Sequence, residues 1–479
     1  MSQKKLGFAA LTALVLSSML GAGVFSLPQN MAAVAGPAAL LCGWLITGVG
    51  IIFLALAMLL LSRLRTDLDG GIFTYARDGF GEVIGFCSAW GYWLCAVIAN
   101  VSYLVIVFSA LSFFTDSPDH TLFGEGNTWP AVAGASLLLW MIHFLVLRGV
   151  QTAASINVLA TLGKLIPLCL FIIMAIVAFR MENFSYDFSG LTLHQPLWSQ
   201  VKQTMLITLW VFIGVEGAVV ISARASHRRD VGRATLWAVV AALVVYLLVT
   251  LLSLGIVPRE QLAAMHNPSM AGLLATIIGP WGTVVIVSGL VLSVSGAYLS
   301  WTIMAAEIPF LAAKTDAFPR IISRQNRHEA PAASLWLTNG CVQACLLIIG
   351  ITHAGYGTLL TIASEMVLVP YLLVGLFLIK TVHHKGMSAP WLIGLGASVY
   401  GLWLLYASGP ENLLMSVMLY APGLLVFIFA RYTAPQPMKL TRKEYSLTGL
   451  ILLLALATGI KRSEERRVGQ DGTSRWSPY

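Results

Sequence analysis

Charged side chains are scarce in this sequence. Asp, Glu, Lys and Arg together make up 10% of its 479 residues, whereas hydrophobic residues make up 58%. Soluble domains carry about 25% charged residues, and the mean hydropathy of +0.81 is also far above that of a soluble protein. The shortage of charge excludes an ordinary soluble domain and predicts an all-α polytopic membrane protein, because helices satisfy their own backbone hydrogen bonds in lipid.

Loop cysteines and catalytic motifs are missing as well. All six cysteines lie in apolar stretches, so none sits where a disulfide framework would form. The sequence has no phosphate-binding GxxxxGK[ST] loop, no HExxH pair and no spaced Cys/His set. These absences argue against an enzyme and against a metal site, and they predict no cofactor. The net charge of +8 does not indicate nucleic acid, because the basic residues lie in short loops between apolar runs.

Apolar runs long enough to span a bilayer, about 17–25 residues, dominate the chain. We count twelve, at 8–28, 36–61, 84–114, 130–147, 155–179, 201–222, 233–257, 282–311, 333–352, 357–380, 391–408 and 412–431. A further run at 446–460 is short for a span and is followed by a polar tail unlike the rest of the chain. We interpret 446–479 as a truncated thirteenth apolar segment with an atypical tail.

The distribution of Lys and Arg predicts the orientation. Twenty of these residues fall in loops on one side of the twelve spans, and three (Arg180, Lys202 and Arg259) fall on the other. Because cytoplasmic loops carry the excess of positive charge, the N-terminus is expected in the cytoplasm. The chain is expected to cross the membrane many times.

Glycine interrupts two of the apolar runs. Gly21-Ala22-Gly23 lies in the first run, and Gly214-Val215-Glu216-Gly217 lies in the sixth. Inside a helix, glycine is about 1 kcal/mol less favourable than alanine for helix stability. The first motif is therefore either a helix broken to hold a carboxylate or a site of close helix packing. Two interrupted runs five spans apart favour an inverted repeat of five plus five. The corresponding boundaries are 1–180 for the first repeat, 181–380 for the second, and 381–445 for spans eleven and twelve with a cytoplasmic loop.

Charged residues inside membrane spans are usually functional, and with loop residues set aside we single out three, Lys164, Glu216 and Glu365. Glu216 could bind freed N–H groups, bridge to tyrosine hydroxyls or carry a proton, or it could be a structural acid that pins the break. Lys164 could exchange a proton or act as a fixed cation, unless its side chain extends to the cytoplasmic face. Glu365 is the weakest candidate, because an acid near the start of span ten could merely face a polar cavity.

Aromatic residues also lie within spans rather than at the interfaces where Trp and Tyr usually anchor. One such residue would indicate core packing, but several near the two breaks suggest a cage for a cation. Asn100 adds an amide carbonyl that can accept a hydrogen bond from a guanidinium or an ammonium group. The aromatic residues are Tyr92, Trp93, Trp210, Trp301 and Tyr371.

The segments that carry a family resemblance are Ser17–Pro28, Tyr92-Trp93-Leu94-Cys95 with Asn100, Thr208–Gly217, Trp301 and Val369-Pro370-Tyr371. In this combination, the chain resembles the basic amino acid/polyamine antiporters of the amino acid–polyamine–organocation superfamily over residues 5–455. The resemblance implies a LeuT-type fold, a five-plus-five inverted repeat with broken helices in spans 1 and 6 and two or three additional C-terminal spans.

The same resemblance implies roles for individual residues. Ala22 and Gly23 would bind the substrate carboxylate. Relatives that exchange arginine for agmatine have serine where Ala22 stands, so the hydroxyl contact is missing here and only backbone donors remain. Carbonyls would hold the substrate amino group, and a tyrosine–glutamate–tyrosine set would form a gate. The implied amino-binding residues are Met19, Trp210 and Ile213, the side-chain-binding residues are Cys95, Ala96, Asn100 and Trp301, and the gating residues are Tyr92, Glu216 and Tyr371.

The expected function is secondary-active antiport that exchanges arginine for ornithine by alternating access. Lys164 departs from the arginine/agmatine antiporters and resembles the span-five lysine of proton-coupled relatives. The alternative is therefore a proton-coupled importer of a basic amino acid that uses Lys164, with Glu216 as a second proton site. A membrane sensor that does not transport is disfavoured, because no soluble domain is appended. The expected partners are cationic amino acids and the bilayer, with no nucleic acid, and a homodimer is allowed but not required.

Overall fold

The computed structural model describes residues 7–68, 71–148, 153–220, 226–383, 386–434 and 440–474. The regular structure of these residues is helical, with no β-strand among them. The helices are α1 (Phe8–Met19), α2 (Gly23–Ala32), α3 (Pro37–Leu64), α4 (Ile72–Phe80), α5 (Glu82–Thr115), α6 (Trp129–Leu147), α7 (Ala153–Ala178), α8 (Met181–Ser185), α9 (Leu197–Phe212), α10 (Gly217–Val220), α11 (Arg228–Ile256), α12 (Arg259–Ala263), α13 (Ser269–Ile278), α14 (Pro280–Lys314), α15 (Ala332–Thr352), α16 (Tyr356–His383), α17 (Ser388–Ser408), α18 (Pro410–Thr433) and α19 (Arg442–Ser474).

Ten described helices are long and apolar enough to cross a membrane, and the bent pair α1–α2 adds an eleventh. The prediction of an all-α polytopic membrane protein is therefore confirmed, although the described residues give ten or eleven such spans rather than twelve. The sixth predicted run falls short because α9 ends at Phe212, where the backbone leaves the helix. The fifth run forms α7, whose residues Gly163–Ala178 make up an apolar helix.

The last apolar segment extends beyond its predicted run. A capping box starts α19 at Arg442: the Thr441 N–H donates to Glu444 Oε2 (2.8 Å), and the Glu444 N–H donates to Thr441 Oγ1 (3.3 Å). This start comes before the predicted run 446–460, so Arg442–Lys461 forms 20 residues of span-length apolar helix. The apolar run 446–460 is therefore part of a longer helix, with helical residues on both sides of it, and the interpretation of 446–479 as a truncated thirteenth segment stays a prediction.

Helices α5 and α16 form the centre of the bundle. In the most apolar window of each, 83% of α5 and 72% of α16 is buried, against 33% for α6 and 6% for α19. Lipid offers little hydrophobic driving force between helices, so close van der Waals packing and hydrogen bonds hold such a core together. The two central helices carry Tyr92, Asn100 and Tyr371, which places these polar side chains inside the protein rather than against lipid.

A buried ion pair fixes the C-terminal end of α2. Arg259, the first residue of α12, donates from Nε to Asp187 Oδ2 (2.6 Å) and from Nη1 to the Ala32 carbonyl oxygen (2.8 Å). Thr192 Oγ1 also donates to Asp187 Oδ2 (2.5 Å). Burial alone would raise the pKa of the Asp187 carboxyl, but the hydrogen bonds from Thr192 and Arg259 and the Arg259 charge lower the pKa below its usual value.

Replacing Asp187 with asparagine is expected to lower the free energy of unfolding by about 3–5 kcal/mol, because it leaves the Arg259 charge buried and unpaired. The matched control Asp316→Asn removes an acid from the more exposed Arg320 pair and is expected to cost at most about 1 kcal/mol. The lowered pKa means that the stabilisation is present above the unfolded-state pKa of about 3.9 and is lost as pH falls through the folded-state pKa. Thermal unfolding of the purified variants between pH 3 and pH 8 tests this, and equal losses for both variants would contradict it.

Candidate functional site

The first helix break lies between α1 and α2, which bend by 41° across Leu20–Ala22. A Cβ on Gly21 would lie 2.5 Å from Tyr103 Oη, and a Cβ on Gly23 would lie 3.0 Å from Trp210 Nε1. The helix is therefore interrupted at this motif, and its glycines also admit close neighbours. Because α2 begins here, its first N–H groups have no acceptor within the helix, and its positive dipole end faces the break.

The second break lies between α9 and α10 and packs against the first. Gly214 has φ +109°, a conformation that L side chains rarely adopt. Its carbonyl oxygen accepts a hydrogen bond from Ser18 Oγ (3.0 Å), which lies in the last turn of α1. The two interruptions predicted in separate halves of the chain thus meet at one place in the bundle.

Tyr246 of α11 bridges the two breaks, a role that we did not predict. Its hydroxyl lies 2.8 Å from the Met19 carbonyl oxygen and 2.5 Å from the Val211 carbonyl oxygen, and it donates its one proton to them. The Met19 oxygen also accepts the Gly21 N–H (2.7 Å), so both of its lone pairs face protein donors. The Trp210 carbonyl oxygen accepts only the Ile213 N–H among the described contacts (3.2 Å), which leaves it one lone pair.

Glu216 sits between two tyrosines inside the second break. Tyr92 of α5 donates to Oε1 (2.6 Å), Tyr371 of α16 donates to Oε2 (2.7 Å), and the Gly214 N–H donates to Oε2 (3.2 Å). All three side chains are buried. The structure therefore brings together the three residues predicted to gate the site and connects both central helices through one carboxyl group.

Lys164 of α7 lies against the C-terminal end of α1. Its Nζ donates to the carbonyl oxygen and to the Oγ of Ser17, both at 2.7 Å, and its side chain is 0% exposed. The side chain thus turns inward and does not extend to the membrane surface. A cation at a helix C-terminus is stabilised by the negative end of the helix dipole, so Lys164 can hold the end of α1 in place beside the break.

One face of α5 points toward the breaks. Tyr92, Cys95, Ala96 and Asn100 follow one another at helical spacing, and Tyr103, further along the same face, reaches Gly21. All are buried, and neither amide atom of Asn100 has a hydrogen-bond partner in the described part of the chain. Because buried polar groups are nearly always paired, this amide is suited to bind a polar ligand.

The predicted aromatic cage is only partly assembled. Trp210 Nε1 donates to Tyr356 Oη (2.9 Å), and the two rings meet edge to face beside the first break. Trp301 of α14 is buried. Trp93 instead donates to Thr338 of α15 (3.1 Å), on another side of α5.

Glu365 contacts the periphery of the bundle. Ser416 Oγ of α18 donates to its Oε2 (3.2 Å), and Oε1 is buried with no partner among the described residues. This contact places Glu365 against α18, whereas Tyr371 on the same helix binds Glu216. Sequence reasoning missed three tyrosines at the breaks, Tyr103, Tyr246 and Tyr356. Tyr103 and Tyr246 lie inside spans and away from the interfaces, a signal that could have identified these two.

Two facing helix breaks that enclose buried polar groups within a many-helix bundle define a secondary transporter, in which substrate sites form at interrupted membrane helices. The comparison with known proteins gives the particular family. The chain belongs to the amino acid permease family, whose model matches residues 6–456.

Individual relatives cover nearly the whole chain. The chain is 68% identical over 454 residues to the "Putative arginine/ornithine antiporter" of Escherichia coli strain K12, which covers 95% of this chain and 98% of that protein. It is 44% identical over 452 residues to the "Arginine/ornithine antiporter" of Pseudomonas aeruginosa, 91% of this chain and 93% of that protein. It is also 44% identical over 443 residues to the "Arginine/agmatine antiporter" of Chlamydia pneumoniae, 90% of each chain. The predicted membership of the amino acid–polyamine–organocation superfamily is confirmed, and so is the prediction of a transporter rather than an enzyme.

Proposed function

We propose that this protein exchanges arginine for ornithine across a bacterial inner membrane by alternating access, with its N-terminus in the cytoplasm. The observation that carries the proposal is the Asn100 amide, which has no hydrogen-bond partner among the described residues and is buried on the α5 face that meets the two helix breaks. The names of the relatives support arginine as one substrate. The five-plus-five inverted repeat, with halves 1–180 and 181–380, is part of this proposal.

The substrate backbone would lie across the breaks. Its carboxylate would bind at the start of α2, where Ala22 and Gly23 offer backbone N–H groups and the helix dipole favours an anion. Its amino group would donate to the carbonyls of Trp210 and Ile213, since the Met19 carbonyl already has two protein donors. The sequence alone implied all three carbonyls equally.

The cationic side chain of the substrate would extend along α5. Cys95 and Ala96 would contact this side chain along its length. Asn100 would accept a hydrogen bond from the guanidinium or ammonium group, and the Trp301 ring would stack on that group. A cation over an indole ring gains about 0.5–2 kcal/mol. A guanidinium has five N–H donors in a plane, so a carbonyl acceptor beside an aromatic face suits arginine particularly well.

Alternating access would use the contacts that hold the breaks. The Tyr92–Glu216–Tyr371 bridge would part and re-form as the central helices move, and the contact of Trp210 with Tyr356 would close over the substrate. A ligand shifts the balance between inward and outward states only by its differential affinity for them. Strict exchange therefore requires that the empty carrier crosses slowly.

The test is uptake of labelled arginine into proteoliposomes preloaded with ornithine, agmatine, lysine or nothing, with and without a proton gradient. We expect rapid uptake with ornithine inside and uptake near background into empty vesicles, in both cases indifferent to the gradient. Agmatine and lysine inside measure the selectivity of the exchange. Equal uptake into empty and ornithine-loaded vesicles would contradict the proposal.

A second candidate function is proton-coupled import of a basic amino acid. The observation that favours it is the buried ammonium of Lys164, which donates to the neutral carbonyl and hydroxyl of Ser17. A lysine without a carboxylate partner in low dielectric is suited to lose its proton. Gradient-driven uptake into empty vesicles would establish this function in place of exchange.

A further inference from the structure

A cavity of about 490 Å³ lies at the C-terminal end of α6, apart from the helix breaks. One wall comes from the last turn of α6 and the other from the connection between α14 and α15. The Asn326 side chain donates from Nδ2 to the Leu147 carbonyl oxygen (2.7 Å), which ties this connection to the end of α6. The lining residues are Phe144, Leu147, Arg148, Asn326, Arg327 and His328.

The cavity is cationic. Arg148 and Arg327 form no ion pair within the described part of the chain, and residues 149–152 that follow Arg148 contain no acid. Arg327 Nε donates to His328 Nε2 (3.3 Å), which orients the guanidinium. The nearest acid in the sequence, Glu329, is not among the lining residues. Two guanidinium groups without a carboxylate make a site for an anion, and the planar fork of Arg fits phosphate geometry.

The wall of the cavity that α6 forms is apolar and continues along the membrane-facing surface. Phe144 is 52% exposed, and Trp336 of α15, 48% exposed, meets it edge to face at a centroid distance of 6.2 Å. Both helices are long and apolar enough to cross the bilayer. A tryptophan in this position is typical of the membrane interface. The cationic cavity thus opens beside a strip that acyl chains can cover.

We propose that this cavity binds the headgroup of an anionic phospholipid, with Arg148 and Arg327 on its phosphate and with Phe144 and Trp336 beside its acyl chain. Basic pockets between membrane helices on the side that carries the Lys- and Arg-rich loops suit such headgroups. The amino acid substrates are cations, which the two arginines would repel. A free phosphate would satisfy the arginines but leave the apolar strip uncovered, so the combination selects a lipid.

The test counts lipids bound to the delipidated full-length protein by native mass spectrometry during titration with phosphatidylglycerol or phosphatidylcholine of the same chain length. The double variant Arg148→Gln/Arg327→Gln is expected to bind phosphatidylglycerol about tenfold more weakly and phosphatidylcholine unchanged. The matched control Arg320→Gln/Arg324→Gln removes the same charge from the same connection, outside the cavity, and is expected to shift phosphatidylglycerol binding less than about twofold. Arg148→Lys/Arg327→Lys should retain most of the binding, which separates lost charge from lost folding.

Three results would overturn the proposal. Equal loss in the control variant would mean that the basic surface attracts anionic lipid without a site. Unchanged binding in the double variant would exclude the cavity. Displacement of phosphatidylglycerol by millimolar inorganic phosphate would assign the cavity to a free anion rather than to a lipid.

Discussion

Replacing Gly214 with alanine is expected to reduce arginine exchange by about 100-fold while the protein still inserts in the membrane. A Cβ at this position would lie 2.9 Å from Ser18 Oγ and 3.1 Å from the Ser18 carbonyl carbon, and the φ of +109° would be strained for any L side chain. Such strain costs about 1–3 kcal/mol, and the clash with backbone adds to it. Because Gly214 accepts from Ser18 and donates to Glu216, the shift would disturb both breaks at once.

The matched control is Gly340→Ala in the middle of α15, where an added Cβ meets nothing within 4 Å. Alanine there should leave exchange unchanged and can raise helix stability by up to about 1 kcal/mol. Exchange in proteoliposomes and thermal stability in detergent would be measured for both variants. Wild-type exchange by Gly214→Ala would show that the second break does not depend on its left-handed glycine.

The break residues were the most predictable part of the site, for a physical reason. Glycine and glutamate inside a long apolar run conflict with a lipid environment, so Gly21, Gly23, Gly214 and Glu216 stand out in the sequence. Tyrosine hydroxyls were one possible set of partners for Glu216, but Tyr92 and Tyr371 in particular could be anticipated only by resemblance. Nothing in the spacing of the chain brings Tyr92 and Tyr371 to the same carboxyl group, because that contact depends on how α5 and α16 pack.

Backbone carbonyls were harder to predict, because their availability depends on neighbours far along the chain. Met19 and Trp210 are equivalent acceptors in the sequence, yet the structure directs Tyr246 to Met19. A tyrosine hydroxyl from a distant helix thus already contacts one of the carbonyls that the resemblance implied for the substrate amino group. Asn100 shows the converse, since its unpartnered amide can be recognised only once every neighbouring donor and acceptor is placed.

Helix ends explain the differences in span count. The apolar run 201–222 is long enough to count as one span, but α9 stops at Phe212, because the backbone is extended at Ile213 and has a positive φ at Gly214. The capping box at Thr441 and Glu444 was present in the sequence and would have extended the last segment. The ion pair of Asp187 with Arg259 joins the segment after α8 to the start of α12 and has no local sequence signal, so only the packed structure reveals it.

Lys164→Met is expected to abolish exchange with ornithine as well as any uptake driven by protons, because the ammonium holds the end of α1. Its two hydrogen bonds to Ser17 are charge-assisted, and bonds of this kind contribute about 1.5–3 kcal/mol each. Loss of both bonds, about 3–6 kcal/mol in total, corresponds to a decrease in exchange rate on the order of 100- to 10,000-fold. The comparison variant Ser17→Ala removes one acceptor and keeps the carbonyl, so a smaller decrease is expected, on the order of 10- to 100-fold.

The two assays together decide what Lys164 does. If Lys164→Met loses exchange and gradient-driven uptake in parallel, the ammonium is a fixed positive charge at the negative end of α1, and antiport needs no proton. If the variant still exchanges arginine for ornithine but no longer responds to the gradient, the ammonium carries the coupling proton, and the second candidate function is correct. The contact with Ser17 makes the first result the expected one, because a group that anchors a helix end at the break cannot be removed without moving the site.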